Sequence, residues 1–248
     1  MNDKSEGIVL KQSDFKDNDY LLTIITPAYG SIRLIARGAK KNNSKNSYAC
    51  SPLTLADFIF DLKDSSLSLL KNVTVVNTYK NIRNDLEKIA IANLMVDIIN
   101  DITKETDGDP LITQIIYELL KESLWHLNDR NHHNIVLGVF ISNVLDVMGI
   151  SPQVDGCCNC MNPKVVSISL SSGGFVCQNC GGDQPKYDID YLKKFRLLNK
   201  ARPKNLKVLE DYEPFDFSLV EILYRFLEEY GDMRLASWKF LKEIMIKN

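Results

Sequence analysis

No stretch of this 248-residue chain comes near the roughly 20 consecutive apolar residues that a membrane-crossing helix needs, so a helical integral membrane protein is excluded. The opening Met1-Asn2-Asp3-Lys4-Ser5-Glu6 is polar and leads into only a short apolar run, which predicts no secretory leader and a cytoplasmic location. Glycine and proline are scarce, at 12 and 8 residues, and no internal repeat or low-complexity linker is visible. Fibrous and disordered classes are thereby excluded, and an ordinary folded protein is the expectation. Charge of one sign is missing too: a net charge of −2 announces no nucleic-acid partner, so any anion-binding patch has to be local. Catalytic signatures are absent, with no glycine-rich phosphate loop, no His-Glu-x-x-His and no nucleophile elbow. His126, His132 and His133 have no cysteine or carboxylate at ligand spacing and read as ordinary polar positions. A protein that is not an enzyme is the expectation.

What is present divides at about residue 80. Up to that point the chain shows short β-type runs broken by turn chemistry, over Gly7 to Leu10, Tyr20 to Thr26, Ser31 to Arg37, Leu53 to Phe60 and Leu67 to Tyr79. Pro27-Ala28-Tyr29-Gly30 makes the second and third of these a hairpin. Five strands in this length predict an OB-fold β-barrel, with an SH3-like barrel as the competing reading. After Tyr79 the period becomes helical, with Ile82, Leu86, Ile89, Ala90, Asn93, Leu94, Asp97 and Ile98 at helical spacing and apolar residues dominating one face. Pro110 suits a helix start, and Leu111 to Leu127 gives a second helix. Ile135 to Met148 gives a third, stopped by Gly149, and Phe217 to Tyr230 and Arg234 to Ile246 give two more. The expected plan is an α+β multidomain protein. Residues 1–80 form the barrel, residues 81–248 form a helical domain, and a metal-binding insert occupies about 154–185.

That insert carries Cys157-Cys158-Asn159-Cys160, sixteen residues, then Cys177-Gln178-Asn179-Cys180, a C-x2-C-x16-C-x2-C pattern. Two-residue gaps turn both thiolates of a knuckle toward one ion, and two knuckles supply the four sulfurs of a tetrahedral zinc site. Cys157, Cys160, Cys177 and Cys180 are therefore the expected ligands of one structural zinc per chain, with Cys158-x-Cys160 as an alternative first knuckle. Four sulfurs leave no open coordination position, so such an ion organises the fold and does not catalyse. A thiol oxidoreductase expects a single Cys-x-x-Cys at a helix start after a strand, which two matched pairs among glycines do not resemble. Cys50 reads as a small buried hydrophobe.

Two stretches are locally basic. Between Ser31 and Ala56 the chain has Arg33, Arg37, Lys40, Lys41 and Lys45 and no acid; between Tyr191 and Lys207 it has Lys193, Lys194, Arg196, Lys200, Arg202, Lys204 and Lys207, again with no acid. If the first stretch begins as a strand, Ile32, Leu34 and Ala36 face inward while Arg33 and Arg37 share the outer face. The loop after it adds Lys40, Lys41 and Lys45 with Ser44 and Ser47, chemistry suited to a phosphate backbone, and Tyr29 and Tyr48 offer rings to unpaired bases. In the second stretch Tyr191, Leu192, Phe195 and Leu198 recur at helical spacing, so Lys193, Lys194 and Arg196 lie on the charged side of an amphipathic helix. Basic loops also exist merely to keep proteins soluble. A metal-ribbon scaffold for protein partners, with only incidental nucleic-acid affinity, is the competing reading.

These pieces occur in an order that resembles the RecO family of bacterial recombination mediators over nearly the whole chain. The resemblance rests on Gly7-Ile8-Val9-Leu10, Tyr20 to Thr26, Tyr29-Gly30 and above all Ala36-Arg37-Gly38-Ala39-Lys40-Lys41 followed by Ser44. It continues in Met148-Gly149-Ile150-Ser151-Pro152 before the first cysteines, Gly173-Gly174 before the second pair, and the closing segments Leu223 to Leu227 and Arg234 to Leu241. Asp17 stands where the family often has glutamate, Ala236 and Trp238 where it has basic residues, and Met161 where a glycine typically follows the first cysteine pair. The resemblance implies an OB-fold amino-terminal domain, a helical carboxy-terminal domain and a zinc insert. It further implies binding to single- and double-stranded DNA, annealing of complementary strands, nucleoid association and partnership with RecR. With RecR, the family helps load RecA onto DNA covered by single-strand binding protein, whose acidic tail it contacts.

Overall fold

The computed structural model describes residues 2–41, 47–63, 67–105, 109–182 and 184–247. They fall into two compact units, one formed by residues 1–128 with 235–248 and the other by residues 129–234. Among the described residues no helix is long and apolar enough to cross a membrane.

The first unit is built on five strands, β1 (Asp3–Lys16), β2 (Asp19–Thr26), β3 (Gly30–Ala36), β4 (Leu55–Asp61) and β5 (Ser68–Asn77). They close into a barrel in the order β1-β2-β3-β5-β4, with β4 returning to β1. All neighbours are antiparallel except β3 and β5, which run parallel through Leu34↔Ser68 and Ile35↔Leu69. This is the OB-like arrangement, not an SH3-like one. Alternation drives the closure: Val9, Leu22, Ile24, Leu34, Ala36, Phe58 and Phe60 point inward and are buried, while Ser31 and Arg33 on β3 face solvent. Gly7 is needed where β1 crowds β2, because a Cβ there would sit 2.9 Å from the Ile25 carbonyl oxygen. The β2–β3 turn falls where the sequence puts it, with the Tyr29 N–H donating to Thr26 Oγ1 at 3.0 Å. β1 is longer than the expected Gly7-to-Leu10 run, since bulges between Val9 and Lys11 and between Asp14 and Lys16 break its alternation and hide its polar half.

Helices α1 (Lys80–Arg83), α2 (Leu86–Glu105), α3 (Pro110–Asp129) and, from the other end of the chain, α9 (Ala236–Lys247) complete this unit. Pro110 takes the first helical position of α3, where no N–H is required, and Asp109 Oδ1 accepts from the Leu111 and Ile112 N–H groups at 2.8 and 3.2 Å. The apolar face of α3, including Ile116, Leu120, Leu124 and Leu127, is buried. A polar latch ties it to β1: Glu6 Oε1 accepts from Tyr117 Oη at 2.6 Å and Lys121 Nζ at 2.5 Å. α9 packs against α2 and buries Trp238 and Leu241.

The second unit is centred on α4 (His133–Val147), whose residues from Ile135 to Leu145 are all buried. It is flanked by α6 (Ile189–Lys200) and α8 (Phe217–Tyr230), with the hairpin of β6 (Val165–Ser169) and β7 (Gly174–Cys177), the turn α5 (Gln178–Gly181) and the short α7 (Leu206–Leu209) completing the unit. Gly138 lets α6 approach closely, since a Cβ would lie 2.9 Å from Leu198 Cδ1. Beside it Ser142 Oγ donates to the Leu198 carbonyl at 2.7 Å and Asn143 Nδ2 to the Ala201 carbonyl at 3.0 Å, so α4 side chains bind carbonyls at the end of α6. α6 and α8 begin at capping aspartates, Asp188 and Asp216, whose carboxylates accept backbone N–H groups.

Candidate metal centre and nucleic-acid interface

The hairpin β6–β7 and the preceding loop bring the two cysteine pairs together. The sulfurs of Cys157, Cys160, Cys177 and Cys180 all lie within 4.8 Å of one another, with Cys160 Sγ 3.7 Å from both Cys177 Sγ and Cys180 Sγ. A tetrahedron of sulfurs about 2.3 Å from a central ion has edges of about 3.8 Å, so the donor set fits one dication of the zinc type. Cys157 and Cys177 are buried, Cys180 is half-buried and Cys160 is exposed, which leaves the cluster open to solvent on one side.

Backbone geometry decides which sulfurs face inward. The Met161 N–H closes a turn onto the Cys157 carbonyl at 2.8 Å, and Cys157 N–H donates to the Asn162 carbonyl at 3.0 Å. Cys158 is turned away, its N–H and its Sγ both 2.8 Å from the Phe175 carbonyl oxygen. The alternative first knuckle is therefore not the one formed, and Cys158 is a half-buried thiol tied to β7. Gly174 makes the hairpin possible: its φ is 149° and a Cβ would lie 2.3 Å from the Gln153 carbonyl oxygen, in line with the bonds joining Gln153 to Gly173 and Phe175 at 2.9 Å. Burial opposes ionisation of Cys157, yet the N–H groups of Cys177, Asn159 and Cys160 aimed at its sulfur bring the thiol down to about 6. Cys177 is lowered as well, first by the Cys180 N–H and against the cost of burial, while hydrogen bonds with Cys160, Cys177 and Cys157 push Cys180 up to about 12. Part of the site is thus set up for thiolate, and a bound cation would supply the charge that lets the remainder ionise. Cys50 lies in the barrel core, where burial pushes its thiol up to about 11.

The basic residues divide by environment. Arg33, Arg37 and Lys41 are exposed on and just after β3. Lys40 is drawn inward, pairing with Asp14 at 2.8 Å, donating to the Lys16 carbonyl at 3.2 Å and lying 5.4 Å from the centre of the Tyr20 ring. Lys45 and Ser44 lie outside the described residues. Tyr48 is 59% exposed, whereas Tyr29 is turned onto the barrel, edge-on to Phe60 with its hydroxyl 3.3 Å from Asp3 Oδ1.

On α6 the apolar side, Leu192, Phe195 and Leu198, is buried, and Lys193 stands exposed on the other. Lys194 pairs with Asp190 at 2.8 Å and keeps only 14% of its side chain exposed, while Arg196 and Lys200 grip the two oxygens of Asp155 at 2.9 and 2.7 Å. That clamp holds α6 to the strand of chain entering the cysteine knuckle. A cavity of about 400 Å³ opens between them, its lining including Val154, Phe175 and Leu192 with Lys164, Lys193 and Arg196. Neither Asp155 nor Asp14 is visible as a partner from sequence, because each stands more than 20 residues from the cation it binds.

A five-stranded OB-like barrel followed by helices and a four-cysteine knuckle defines a class of OB-fold protein with a candidate metal centre. Two family models match the chain, the amino-terminal model of recombination protein O over residues 1–79 and its carboxy-terminal model over residues 83–239. The chain belongs to the RecO family. Relatives described as DNA repair protein RecO include those of Bacillus pumilus (29% identical) and Bacillus subtilis (28%), each aligned over 97% of this chain and 94% of its own length. Another, from Moorella thermoacetica, is 30% identical over 97% of this chain and 91% of its own.

Proposed function

We propose that this protein is a DNA-binding recombination mediator that acts without a chemical step; the DNA-repair and recombination names of its family and relatives support the mediator role. It binds single- and double-stranded DNA, anneals complementary strands and, with RecR, helps load RecA onto DNA coated with single-strand binding protein, whose acidic tail it contacts. It works in the cytoplasm, associated with the nucleoid. Residues 1–80 form the DNA-binding domain; residues 81–248 form the helical domain, with the insert at about 154–185 holding one zinc through Cys157, Cys160, Cys177 and Cys180. The observation that carries the reading is the exposed Arg33, Arg37 and Lys41 on the barrel, in a stretch from Ser31 to Ala56 that contains no acid. Annealing requires a surface that neutralises phosphate repulsion between two strands while leaving base edges to pair. A basic barrel face has that property. Lys40 contributes by holding its loop, Lys45 extends the run, and Lys193 supplies a second contact on α6, where Lys194 and Arg196 are already engaged by carboxylates.

Reversing Arg37 and Lys41 to glutamate is expected to weaken binding to every DNA sequence by an order of magnitude or more at low salt. It should also flatten the plot of log affinity against log salt by about 1.5, the share of two phosphate contacts. Titration by fluorescence anisotropy measures both; unchanged binding at low salt refutes the assignment of this face. Elemental analysis of the purified protein is expected to find about one zinc per chain, reduced in Cys177→Ser, with the wild-type thiols protected from alkylation until a chelator is added.

The ion pairs of Lys40, Lys194 and Arg196 favour one other reading, a metal-ribbon scaffold that binds protein partners and touches DNA only incidentally. Firm RecR binding alongside unshifted single-stranded DNA at low salt would select it.

A further inference from the structure

β1 ends in a bulge at the rim of the barrel. Asp14 pairs with Tyr20 and Lys16 pairs with Asp19, so Phe15 is the extra residue with no counterpart on β2. A bulge interrupts the in-and-out alternation of a strand and re-aims the side chain it carries. Phe15 stands 37% exposed, with Lys16 Nζ 5.7 Å from the centre of its ring.

The hairpin tip that bears this ring is tied to the segment following β3. Gly38, at φ 66°, donates its N–H to Asp19 Oδ1 at 2.8 Å, the Lys40 N–H donates to the Asn18 carbonyl at 3.1 Å, and Lys40 Nζ joins Asp14 and the Lys16 carbonyl. These bonds hold the Arg37–Lys41 segment against residues 14–19 and engage two of the three acids at the tip. The third, Asp17, is exposed. Lys40 also lies over the half-buried Tyr20 ring, which removes that aromatic face from solvent and leaves Phe15 as the ring presented there.

We propose that Phe15 is a base-stacking residue that lets the barrel favour unpaired DNA over duplex. The inference rests on the DNA-binding reading above and adds to it the form of DNA selected and the group that selects it. Cations alone read phosphate, which single and double strands both offer. A duplex keeps its base faces inside its own stack, so an aromatic ring beside those cations gains only from a strand whose bases are free. Lys16 beside the ring adds a cation to the same contact, and Asp17 works against it.

The test compares a single-stranded oligonucleotide carrying one 2-aminopurine with its duplex, binding each to the full-length protein at low salt. Phe15→Ala and Phe15→Leu are expected to weaken single-strand binding about tenfold or more, a typical value for one stacked base. Duplex affinity should stay within twofold, and the extra quenching of 2-aminopurine at saturation should disappear. Phe15→Trp is expected to keep both affinity and quenching. Leucine preserves apolar bulk without a π face, so equal behaviour of the Leu and Trp variants overturns the proposal, as does an equal loss on both DNA forms or no loss on the single strand. The Arg37→Glu, Lys41→Glu protein separates this failure from failure of the DNA-binding reading. If it loses both DNA forms while Phe15→Ala loses neither, only the stacking role is overturned; if it loses neither, the phosphate face is overturned.

Discussion

At the scale of single residues, the knuckle contains a position at odds with its side chain. Met161 follows the first cysteine pair at φ 59°, in the left-handed region where a Cβ costs roughly 1–2 kcal/mol, and 59% exposure returns little of that through burial. The turn itself is obligatory, because the Met161 N–H closes onto Cys157 and a Cβ on Gly156 would lie 3.0 Å from the Met161 carbonyl oxygen. Met161→Gly is therefore expected to stabilise the metal-loaded protein by about 0.5–1 kcal/mol, after allowing for the greater freedom of glycine in the unfolded chain. A higher midpoint in thermal unfolding is the sign to look for; a lower one would mean that the methionine side chain holds the turn. Spacing picked out Cys157, Cys160, Cys177 and Cys180 and kept Cys158 as the alternative opening of the first knuckle, since either can open one. The hydrogen bond from Cys158 to Phe175, seventeen residues away, separates them, and no local pattern encodes it.

At the scale of elements, alternation and helical period located most of the structure, because each reports which face is buried. Phe217–Tyr230 was readable to the residue, with a capping aspartate before it and Gly231 after it. The polar half of β1 was not readable, since its pairing depends on bulges and on β2 rather than on an apolar stripe. The same limit hid the ion pairs of Lys40, Lys194 and Arg196, so the basic runs looked more uniform than they are. Pairing of elements also sets a pH dependence. Burial alone would raise Glu6, but hydrogen bonds from Lys121 and Tyr117 outweigh it and hold the carboxyl below its ordinary 4.5. A carboxylate lowered in the folded state stabilises that state at pH above the ordinary value, and the contribution fades as pH falls through the folded value. Glu6→Gln is thus expected to cost about 1 kcal/mol at pH 7, a figure kept small because both partners are about a third exposed, and to cost less at pH 3. Urea unfolding of both proteins at the two pH values measures the difference; an equal cost at both would refute the latch.

At the scale of the whole molecule, the family models meet between residues 79 and 83, whereas the unit containing the barrel runs to residue 128 and takes in residues 235–248. The helix responsible is α9, which lies on α2 with Trp238, Leu241 and Ile244 buried. Each such side chain contributes about 1.5–3 kcal/mol when fully buried, a sum comparable with the stability of a small domain. Removing residues 236–248 should therefore loosen α2 and speed amide hydrogen exchange in the barrel-bearing unit, with less effect on α4 and α8; an unaltered exchange pattern in that unit would contradict this. Because one of its helices lies beyond residue 235, that unit is incomplete on the ribosome until after residues 129–234 have been made. The intervening segment, by contrast, has all its own strands and helices in hand earlier. A stalled or prematurely terminated nascent chain would carry a finished cysteine knuckle beside a barrel unit still exposing apolar surface, the form most in need of a chaperone and most readily cleared by proteases.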